Sequence, residues 1–296
     1  MLKMRATTFL VLSLVLLPFA QFNAYAQTLG TADPFAVLSY SPVTNAGAGV
    51  LGATVITGNL GVYPDNSCSG FVTCPTTGPG TILGTLHLGD GVALNAENDV
   101  TTAYNTLEGL YGTATLVPGG ILTGPYGPGV YNVPGATDNL TGTLVLSDGG
   151  VAGSRFVFLM SSTLITAPDS KIDVSGLSPS DSLFWVVYSS ATLGDNTVFE
   201  GNIIASASIT FDPGATDLCG RALAETGAVT FAGQDATTGF ENQVSIGCAG
   251  TTGAGGGGFN GPTSTPEPSS LSLLAIGLLA VSGLFLRRAR RLRSAR

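Results

Sequence analysis

Short hydrophobic runs alternate with turn-forming residues along most of the chain. From residue 50 onward, runs rich in Val, Ile, Thr and aromatic residues are interrupted every few positions by Gly, Asn, Asp and Pro. This pattern is typical of many short strands joined by tight turns. Examples of the predicted strands are residues 54–56, 81–86, 143–146, 156–159, 183–188, 203–205 and 228–231.

One segment departs from this alternation and predicts a helix. Between residues 91 and 110, apolar residues recur at intervals of three and four, as they do on one face of an α-helix. The members of this face are Val92, Leu94, Ala96, Val100, Ala103, Tyr104 and Leu107. Asp90 or Asn95 is the expected N-terminal cap, because its side-chain oxygen can accept hydrogen bonds from the free backbone N–H groups.

Three similar stretches in the second half of the chain predict stacked coils. Thr192, Thr210 and Thr230 each stand next to apolar residues and are 18 and then 20 residues apart. Because side chains alternate between the two faces of a strand, we expect the threonines to point outward and their neighbours inward. Stacking would then give a continuous core and a ladder of threonines. Two alternatives stay open: a β-sandwich, and threonines that occur only because strands favour them.

The first residues have the order of a secretory signal peptide. Lys3 and Arg5 precede the apolar run 9–20, and the small-residue site Ala24-Tyr25-Ala26 precedes Gln27. A charged start, an apolar core and small residues before the cut are typical of exported proteins. We therefore predict a signal peptide over residues 1–26 and an exported mature chain. The alternative is a buried N-terminal helix.

The last residues predict a sorting and anchoring segment. Pro266-Glu267-Pro268 is followed by the uncharged apolar run 271–286 and then by six arginines at the C-terminus. This order over residues 266–296 resembles the PEP-CTERM sorting signal, whose motif is recognised by an exosortase. The arginines predict a helix inserted in the membrane with its basic end in the cytoplasm. The expected location is the cell envelope or the extracellular space. A plain single-span tail anchor is the alternative.

The charge of the chain changes greatly when both ends are set aside. Only three of the eleven Lys and Arg residues lie between residues 27 and 265, together with 18 of the 19 Asp and Glu residues, so this part carries a formal net charge of −15. Phosphate binding needs clustered cations, so nucleic acid is excluded as a partner. The composition predicts one large all-β domain over 27–248 and a Gly-rich linker over 249–265.

The four cysteines predict disulfides. Cys68, Cys74, Cys219 and Cys248 are even in number and exported, and they allow three connectivities. Proximity in the sequence favours Cys68 with Cys74 and Cys219 with Cys248, and free thiols are the alternative. Their spacing does not fit a zinc site, so no metal is predicted.

The sequence offers no catalytic constellation. Its single histidine, His87, stands between Leu86 and Leu88 with no nucleophile nearby, and the part between the two ends has three basic residues. Paired carboxylates on a β-helix could hydrolyse glycosidic bonds, but no acidic motif supports this chemistry. Asp-Asn pairs favour turns rather than calcium loops. We predict that the protein is not an enzyme and has no cofactor.

Five segments in the same order resemble the secreted ice-binding proteins of bacteria and fungi. They are Leu29-Gly30-Thr31-Ala32-Asp33-Pro34-Phe35-Ala36-Val37-Leu38, Val55-Ile56-Thr57-Gly58-Asn59-Leu60-Gly61-Val62, Leu140-Thr141-Gly142-Thr143-Leu144, Phe199-Glu200-Gly201-Asn202-Ile203-Ile204-Ala205 and Gly220-Arg221-Ala222-Leu223-Ala224. The resemblance implies an all-β, discontinuous β-solenoid of roughly triangular section, with one long α-helix alongside and a flat face that adsorbs to ice.

The resemblance also implies where this face ends. In the family a four-residue pattern of the type Thr-Ala/Gly-x-Thr/Asn lies at the edge of the face. The matching positions are Pro168-Asp169-Ser170-Lys171, Asp195-Asn196-Thr197-Val198 and Pro213-Gly214-Ala215-Thr216. The expected ice-binding residues are therefore Thr192, Thr210, Thr230, Ser170, Thr197, Ala215 and Thr216.

Two functions are consistent with these observations. The first is a secreted or surface-anchored ice-binding protein, whose partners are ice, the exosortase and, through the C-terminal helix, the membrane. The second is a structural or adhesive protein of the cell surface or matrix that uses the same fold without strong ice activity. The sorting segment fits both functions.

Overall fold

The computed structural model describes residues 29–47, 54–178 and 180–246. The predicted signal peptide, Cys248, the linker 249–265 and the sorting segment with its apolar run 271–286 lie outside the described residues. None of the helices in the described ranges is long and apolar enough to cross a membrane. The described part is mostly β-strand with one α-helix.

The strands before the helix are β1 (Phe35–Ser39), β2 (Val43–Asn45), β3 (Val55–Thr57), β4 (Asn59–Val62), β5 (Cys68–Phe71), β6 (Thr76–Ile82) and β7 (Leu86–Leu88). The helix is α1 (Gly91–Glu108). The strands after it are β8 (Thr115–Leu116), β9 (Gly129–Val133), β10 (Thr143–Ser147), β11 (Arg155–Met160), β12 (Leu164–Thr166), β13 (Lys171–Gly176), β14 (Ser182–Val187), β15 (Ala191–Leu193), β16 (Val198–Phe199), β17 (Asn202–Ala205), β18 (Ile209–Phe211), β19 (Thr216–Asp217), β20 (Arg221–Ala224), β21 (Val229–Phe231) and β22 (Gln243–Ser245). Short 3-10 segments cover Gly30–Ala32, Tyr111–Thr113 and Pro118–Gly120.

The strands stack in parallel to form three faces. The helix-side sheet has nine strands in the order β7-β4-β1-β20-β17-β14-β11-β9-β8. A second sheet of 13 strands bends at β6 into two parts. We call β12-β15-β18-β21-β2-β5 the threonine face and β10-β13-β16-β19-β22-β3 the charged face. The strand pairs in these sheets are parallel, which rules out the β-sandwich alternative because sandwich sheets are antiparallel.

The order of the stack differs from the order of the chain. The N-terminal strand β1 pairs with β20 on one side and β4 on the other, so the chain enters in the middle of the stack. It climbs two coils to β7, returns along α1 to β8, and climbs again until β20 meets β1. The eight steps from β7 to β8 measure about 38 Å, and α1 covers about 27 Å of this distance. The segment between α1 and β8 spans the rest.

The hydrophobic core lies inside the coils. Strands β15, β18 and β21 share one burial pattern, in which the outer two residues are buried and the middle residue is half-buried. Aromatic rings of successive coils stack on one another. The ring centroids of Phe158 and Trp185 are 4.2 Å apart, and those of Phe211 and Phe231 are 4.8 Å apart. Stacked aromatic rings stabilise the fold by more than the burial of their apolar area alone. The apolar neighbours predicted to point inward therefore do so.

Helix α1 covers the outer surface of the helix-side sheet. Its N-terminal cap is Asp90, one of the two predicted candidates, whose Oδ1 accepts hydrogen bonds from Val92 N and Ala93 N at 2.9 Å each. The buried helix residues are Ala93, Ala96, Glu97, Val100, Ala103 and Leu107. Most of these buried residues recur at intervals of three and four from Ala93. Val92 was predicted on this face, but it lies one position before it and is 47% exposed. The helix therefore shields the apolar sheet beneath it.

Glu97 is a buried acid in this helix, and we expect it to make stability depend on pH. Burial first, and then the charge of Glu225, raise the pKa of Glu97 to about 8. The folded chain then holds a proton that the unfolded chain releases near pH 4.5, so the free energy of unfolding falls as pH rises from about 4.5 to 8. Glu200 and Glu225, with pKa values raised to about 7, act in the same direction.

Replacing Glu97 by Gln tests this expectation. The amide stays neutral, so Glu97→Gln should raise the free energy of unfolding at pH 9 by roughly 1–3 kcal/mol and weaken its pH dependence. Urea unfolding at pH 5, 7 and 9 measures both effects, and Glu241→Gln, a change in a loop, is the control. A wild-type chain that becomes more stable between pH 5 and pH 9 would contradict this account.

Two cysteine predictions can be compared with the structure. Cys68 and Cys74 form a disulfide with a Cα–Cα distance of 5.3 Å, which confirms their pairing. Cys219 is also disulfide-bonded. Cys248, its predicted partner, lies outside the described residues. The Cys68–Cys74 bond closes the turn after β5, at the end of the threonine face.

Removal of the Cys68–Cys74 bond should weaken this end of the stack. Closing so short a loop lowers the conformational entropy of the unfolded chain, which stabilises the folded state by about 2 kcal/mol. The double substitution Cys68→Ala and Cys74→Ala should therefore lower the free energy of unfolding by about this amount in non-reducing buffer. Urea unfolding checks it, with Ser67→Ala in the neighbouring turn as the control. Equal midpoints for the double variant and the wild type would refute the expectation.

A buried arginine holds the seam where the N-terminal coil meets the C-terminal coils. Arg221 in β20 is fully buried, and its guanidinium donates to Asp33 O at 2.6 and 3.1 Å and to Asn202 Oδ1 at 2.8 Å. Burial lowers the pKa of Arg221 to about 10, and the negative charges of Asp33 and Asp217 raise it by a smaller amount. Its hydrogen bonds connect β20 to the residues just before β1. The sheet therefore continues between two strands that are far apart in the sequence.

Candidate functional site

The three threonines of the predicted ladder form one straight row. Thr192 is the Cα partner of Thr210, and Thr210 is the Cα partner of Thr230. Each is the half-buried middle residue of a strand whose outer two residues are buried. Their side chains therefore point outward on the same face.

The row continues beyond these three residues in both directions. The next coil on one side contributes Ile165, opposite Thr192. On the other side the row crosses the seam, because Thr230 is the Cα partner of Thr44. Among the described residues the central row is Ile165, Thr192, Thr210, Thr230, Thr44, Ser69 and Thr76. Adjacent coils place these residues about 4.8 Å apart, so the row extends for about 29 Å.

Small residues occupy the positions next to this row. On one side of the row lie Ser190, Ser208 and Ala228, which backbone hydrogen bonds align from coil to coil. Ser190 Oγ accepts a hydrogen bond from Ser208 N, and Ser208 Oγ accepts one from Ala228 N. On the other side the matching positions are Gly194, Asp212 and Ala232. Short side chains on both sides leave the central row open. The surface is therefore flat over about 13 Å along the strands.

The threonine hydroxyls of the central row are free to bind water. Thr44, Thr192, Thr210 and Thr230 use their hydroxyls in no hydrogen bond to another described residue. The β-branched side chain restricts χ1, so each hydroxyl and methyl group has few orientations. By contrast, the buried Thr166 and Thr197 hydroxyls bond each other at 2.8 Å. The exposed row thus offers a regular set of donors and acceptors to solvent.

Three residues predicted at the edge of the face are buried, so this prediction is wrong for them. Ser170, Thr197 and Ala215 are each 0% exposed. Each follows a residue with positive φ, namely Asp169 at 58°, Asn196 at 55° and Gly214 at 74°. This conformation turns the chain at the corner and directs the third residue of each four-residue pattern inward. Ser170 Oγ, for example, donates to Ala167 O at 2.6 Å.

Thr216 lies on the charged face, not on the threonine face. It pairs with Val198 on one side and Gln243 on the other, after the corner has turned the chain. The row to which it belongs is Thr143, Lys171, Val198, Thr216, Gln243, Val55 and Thr81. Long and charged side chains make this row irregular. We therefore remove Thr216 from the candidate surface.

Within the described ranges, the threonine face is the one face that is both open and nearly free of charge. The helix-side sheet is covered by α1, and the charged face carries exposed Lys171 with Asp173 in the same strand. Asp212 is the single charged side chain among the described central and flanking positions. Charged groups hold their own hydration water, so a face with few charges is best suited to a structured water layer.

The described residues give no sign of a metal centre. They contain no group of three or more His, Cys, Asp or Glu residues that could hold a metal ion. His87 Nδ1 lies 2.8 Å from Asp90 Oδ2, and the ring contacts Phe35, so this histidine is engaged beside the helix cap.

Sequence reasoning missed four members of the central row, Thr44, Ser69, Thr76 and Ile165. Thr44 had a signal that could have been used, because Val43-Thr44-Asn45 repeats the order of Val229-Thr230-Phe231. Nothing in the chain order, however, places residue 44 beside residue 230. The two coils join only through the closure of the stack.

Together, the fold and this surface define a class of protein: parallel β-coils with a covering helix and one flat, hydroxyl-bearing face. The family model of ice-binding-like proteins matches residues 37–237. The chain belongs to the ice-binding-like family. The PEP-CTERM protein-sorting motif matches residues 264–291, which confirms the second resemblance.

Known proteins agree with this assignment. An ice-binding protein from Nostoc sp. (strain HG1) is 37% identical over 304 residues, which covers 98% of this chain and 99% of the relative. The structure resembles that of an ice binding protein from an Antarctic biological consortium, with a TM-score of 0.60 and 38% identity over 73% of this chain and 89% of the other. It also resembles the ice-binding protein of the ascomycete Antarctomyces psychrotrophicus, with a TM-score of 0.61 and 35% identity over 73% and 96% of the two chains.

Proposed function

We propose that this protein binds ice through the threonine face. The observation that carries the proposal is the central row, in which Thr192, Thr210, Thr230 and Thr44 are Cα partners in successive coils. Both the spacing between coils and the side-chain orientation are fixed by the backbone. A rigid, repeating set of hydroxyl and methyl groups is the surface that adsorption to a crystal requires.

The mechanism rests on water that is ordered before ice arrives. Each free threonine hydroxyl can hold a water molecule, and the adjacent methyl group limits where the neighbouring water can go. Since χ1 and the strand spacing are already fixed, ordering this layer costs little further conformational entropy. The ordered layer then merges with the lattice at the crystal surface.

Affinity comes from many weak contacts made at once. The central and flanking rows cover about 29 Å by 13 Å, or about 400 Å². Single water-mediated contacts are weak, but a rigid surface loses little entropy when all of them form together. Crystal growth then stops where adsorbed molecules pin the advancing front.

The same proposal includes the architecture and location of the whole chain. We propose a discontinuous β-solenoid of triangular section over 27–248, preceded by a signal peptide that is cut after Ala26. An exosortase would recognise Pro266-Glu267-Pro268, and the apolar run 271–286 would hold the chain in the membrane until or after that step. The linker 249–265 would separate the ice-binding face from the envelope. This location would let a cell attach to ice or shape it outside the membrane.

The family relationship favours this function over the structural or adhesive alternative. The relatives are named ice-binding proteins and not enzymes, which supports a binding role without catalysis. A purely structural role would also leave the regular, uncharged threonine row unexplained.

Thermal hysteresis of the purified full-length chain tests the proposal. We expect a concentration-dependent gap between the melting and freezing temperatures and inhibition of ice recrystallisation, with serum albumin as the control at equal concentration. A chain that is folded by circular dichroism and yet gives neither effect would refute the proposed function.

A further inference from the structure

An open cleft lies beside the C-terminal end of α1, away from the central row of the threonine face. Its lining residues are Asn105, Glu108, Gly109, Tyr111 and Tyr188. The volume is about 320 Å³. This value lies at the lower end of the range for small-molecule sites, about 300–1,000 Å³. The cleft is therefore large enough for a small organic ligand.

Two tyrosine rings, Tyr111 and Tyr188, line this cleft, and a third, Tyr104, packs against Tyr188. The Tyr188 ring centroid lies 6.3 Å from that of Tyr104 and 6.3 Å from that of Tyr111, with interplanar angles of 52° and 39°. Asn132 Nδ2 donates to the Tyr111 hydroxyl at 2.9 Å, which limits the movement of this hydroxyl. The buried Tyr188 hydroxyl has no hydrogen-bond partner among the described residues. Tilted and preformed ring faces are thus available to a ligand.

The cleft has a negative electrostatic environment. Burial first, and then the charges of Glu108 and Tyr111, raise the pKa of Tyr188, so the Glu108 carboxylate acts directly on this ring. Burial raises the pKa of Tyr104 to about 12, and the charges of Glu108 and Glu225 add to this effect. The cationic side chains of the described ranges are Arg155, Lys171 and Arg221, and none of them lines the cleft.

The end of the helix adds to the same field. The last turn of α1 contains no basic residue, and its backbone carbonyl groups point toward the end that borders the cleft. The C-terminus of a helix carries a partial negative charge that favours cations. The lining therefore combines a helix C-terminus, a carboxylate and aromatic faces, and each of these attracts positive charge.

We propose that this cleft binds an organic ammonium cation. The electron-rich faces of Tyr111 and Tyr188 would contact the alkyl groups around the nitrogen, as aromatic rings do with quaternary ammonium ions. Glu108 would balance the charge from the side of the helix. A neutral saccharide would stack on the same rings but would gain nothing from Glu108 or the helix end, so the observations favour the cation.

Titration with tetramethylammonium chloride tests the proposal. We expect saturable binding to the purified full-length chain, with a Kd on the order of 1–10 mM. Saturation-transfer NMR of the methyl groups of tetramethylammonium, at constant ionic strength, measures this binding. Glu108→Gln should weaken binding about tenfold because it removes the charge and keeps the shape. Tyr111→Ala should weaken it similarly. The controls are Glu241→Gln and Phe240→Ala, which change a glutamate and an aromatic residue in the loop between β21 and β22.

The outcomes separate the proposal from its alternatives. Binding that is lost in Glu108→Gln and Tyr111→Ala, and kept in both controls, supports an ammonium site. Binding that does not saturate, that sodium chloride displaces equally well, or that weakens equally in the controls overturns it. Binding of glucose without tetramethylammonium also overturns it, because the cleft would then be a saccharide site. Circular dichroism of each variant verifies the fold, and Glu108→Gln, which changes no shape, keeps the test valid if Tyr111→Ala unfolds.

Discussion

Thr210→Lys should abolish most of the thermal hysteresis of this protein. Thr210 lies in the central row between Thr192 and Thr230, so a lysine here places a long, hydrated cation within the flat surface. The cation keeps its own water shell and lifts the crystal from the neighbouring hydroxyls. We expect a loss of roughly 80% or more of the activity, with a change in stability below about 1 kcal/mol because the position faces solvent.

Gln243→Lys is the matched control for this prediction. Gln243 is an exposed residue of β22 in the same stack, but it lies on the charged face in a row that already contains Lys171. The added charge is the same, so general effects of net charge are equal in the two variants. Hysteresis that falls equally in both variants, or that survives in Thr210→Lys, would show that the threonine face is not the active surface.

Arg221→Met should be among the most destabilising single substitutions in the chain. The thioether cannot replace the hydrogen bonds from the guanidinium to Asp33 O and Asn202 Oδ1, so these bonds would be lost at the seam. Loss of one member of a buried charged network typically costs about 3–5 kcal/mol. Urea unfolding should show this decrease.

Lys171→Met is the control for the buried arginine. Lys171 is exposed on the charged face, so the same loss of one cation should change the free energy of unfolding by less than about 0.5 kcal/mol. Arg221→Lys, which keeps the charge but not the planar group, should give an intermediate loss. An Arg221→Met chain that unfolds at the wild-type urea concentration would contradict the role of this residue in closing the stack.

Local patterns in the sequence predicted the helix and several of the strands. The helix expected over 91–110 is Gly91–Glu108, because apolar spacing and the Asp90 cap act within a few residues of each other. The outward direction of Thr192, Thr210 and Thr230 followed from strand alternation. The strand expected over 81–86 was wrong, because it joins the end of β6 to the start of β7 across a bend.

The closure of the stack could not be predicted from local patterns. Thr44 and Thr230 meet because β2 fits beside β21 after the rest of the chain has folded, and their separation in sequence hides this contact. The corners were mispredicted for a different reason. Positive φ at Asp169 and Asn196 rotates the following side chain inward, so Ser170 and Thr197 became buried although their residue types suit an exposed surface.

The most direct test of the ice-binding surface is the partition of protein into slowly growing ice. Wild type, Thr44→Lys and Gln243→Lys would be labelled with different fluorophores, mixed, and measured in the ice and in the remaining liquid. Thr44 belongs to the face only through closure of the stack, so this variant tests the fold and the surface together. We predict that wild type and Gln243→Lys enter the ice while Thr44→Lys stays in the liquid. Entry of Thr44→Lys to the same extent as wild type would contradict the assignment.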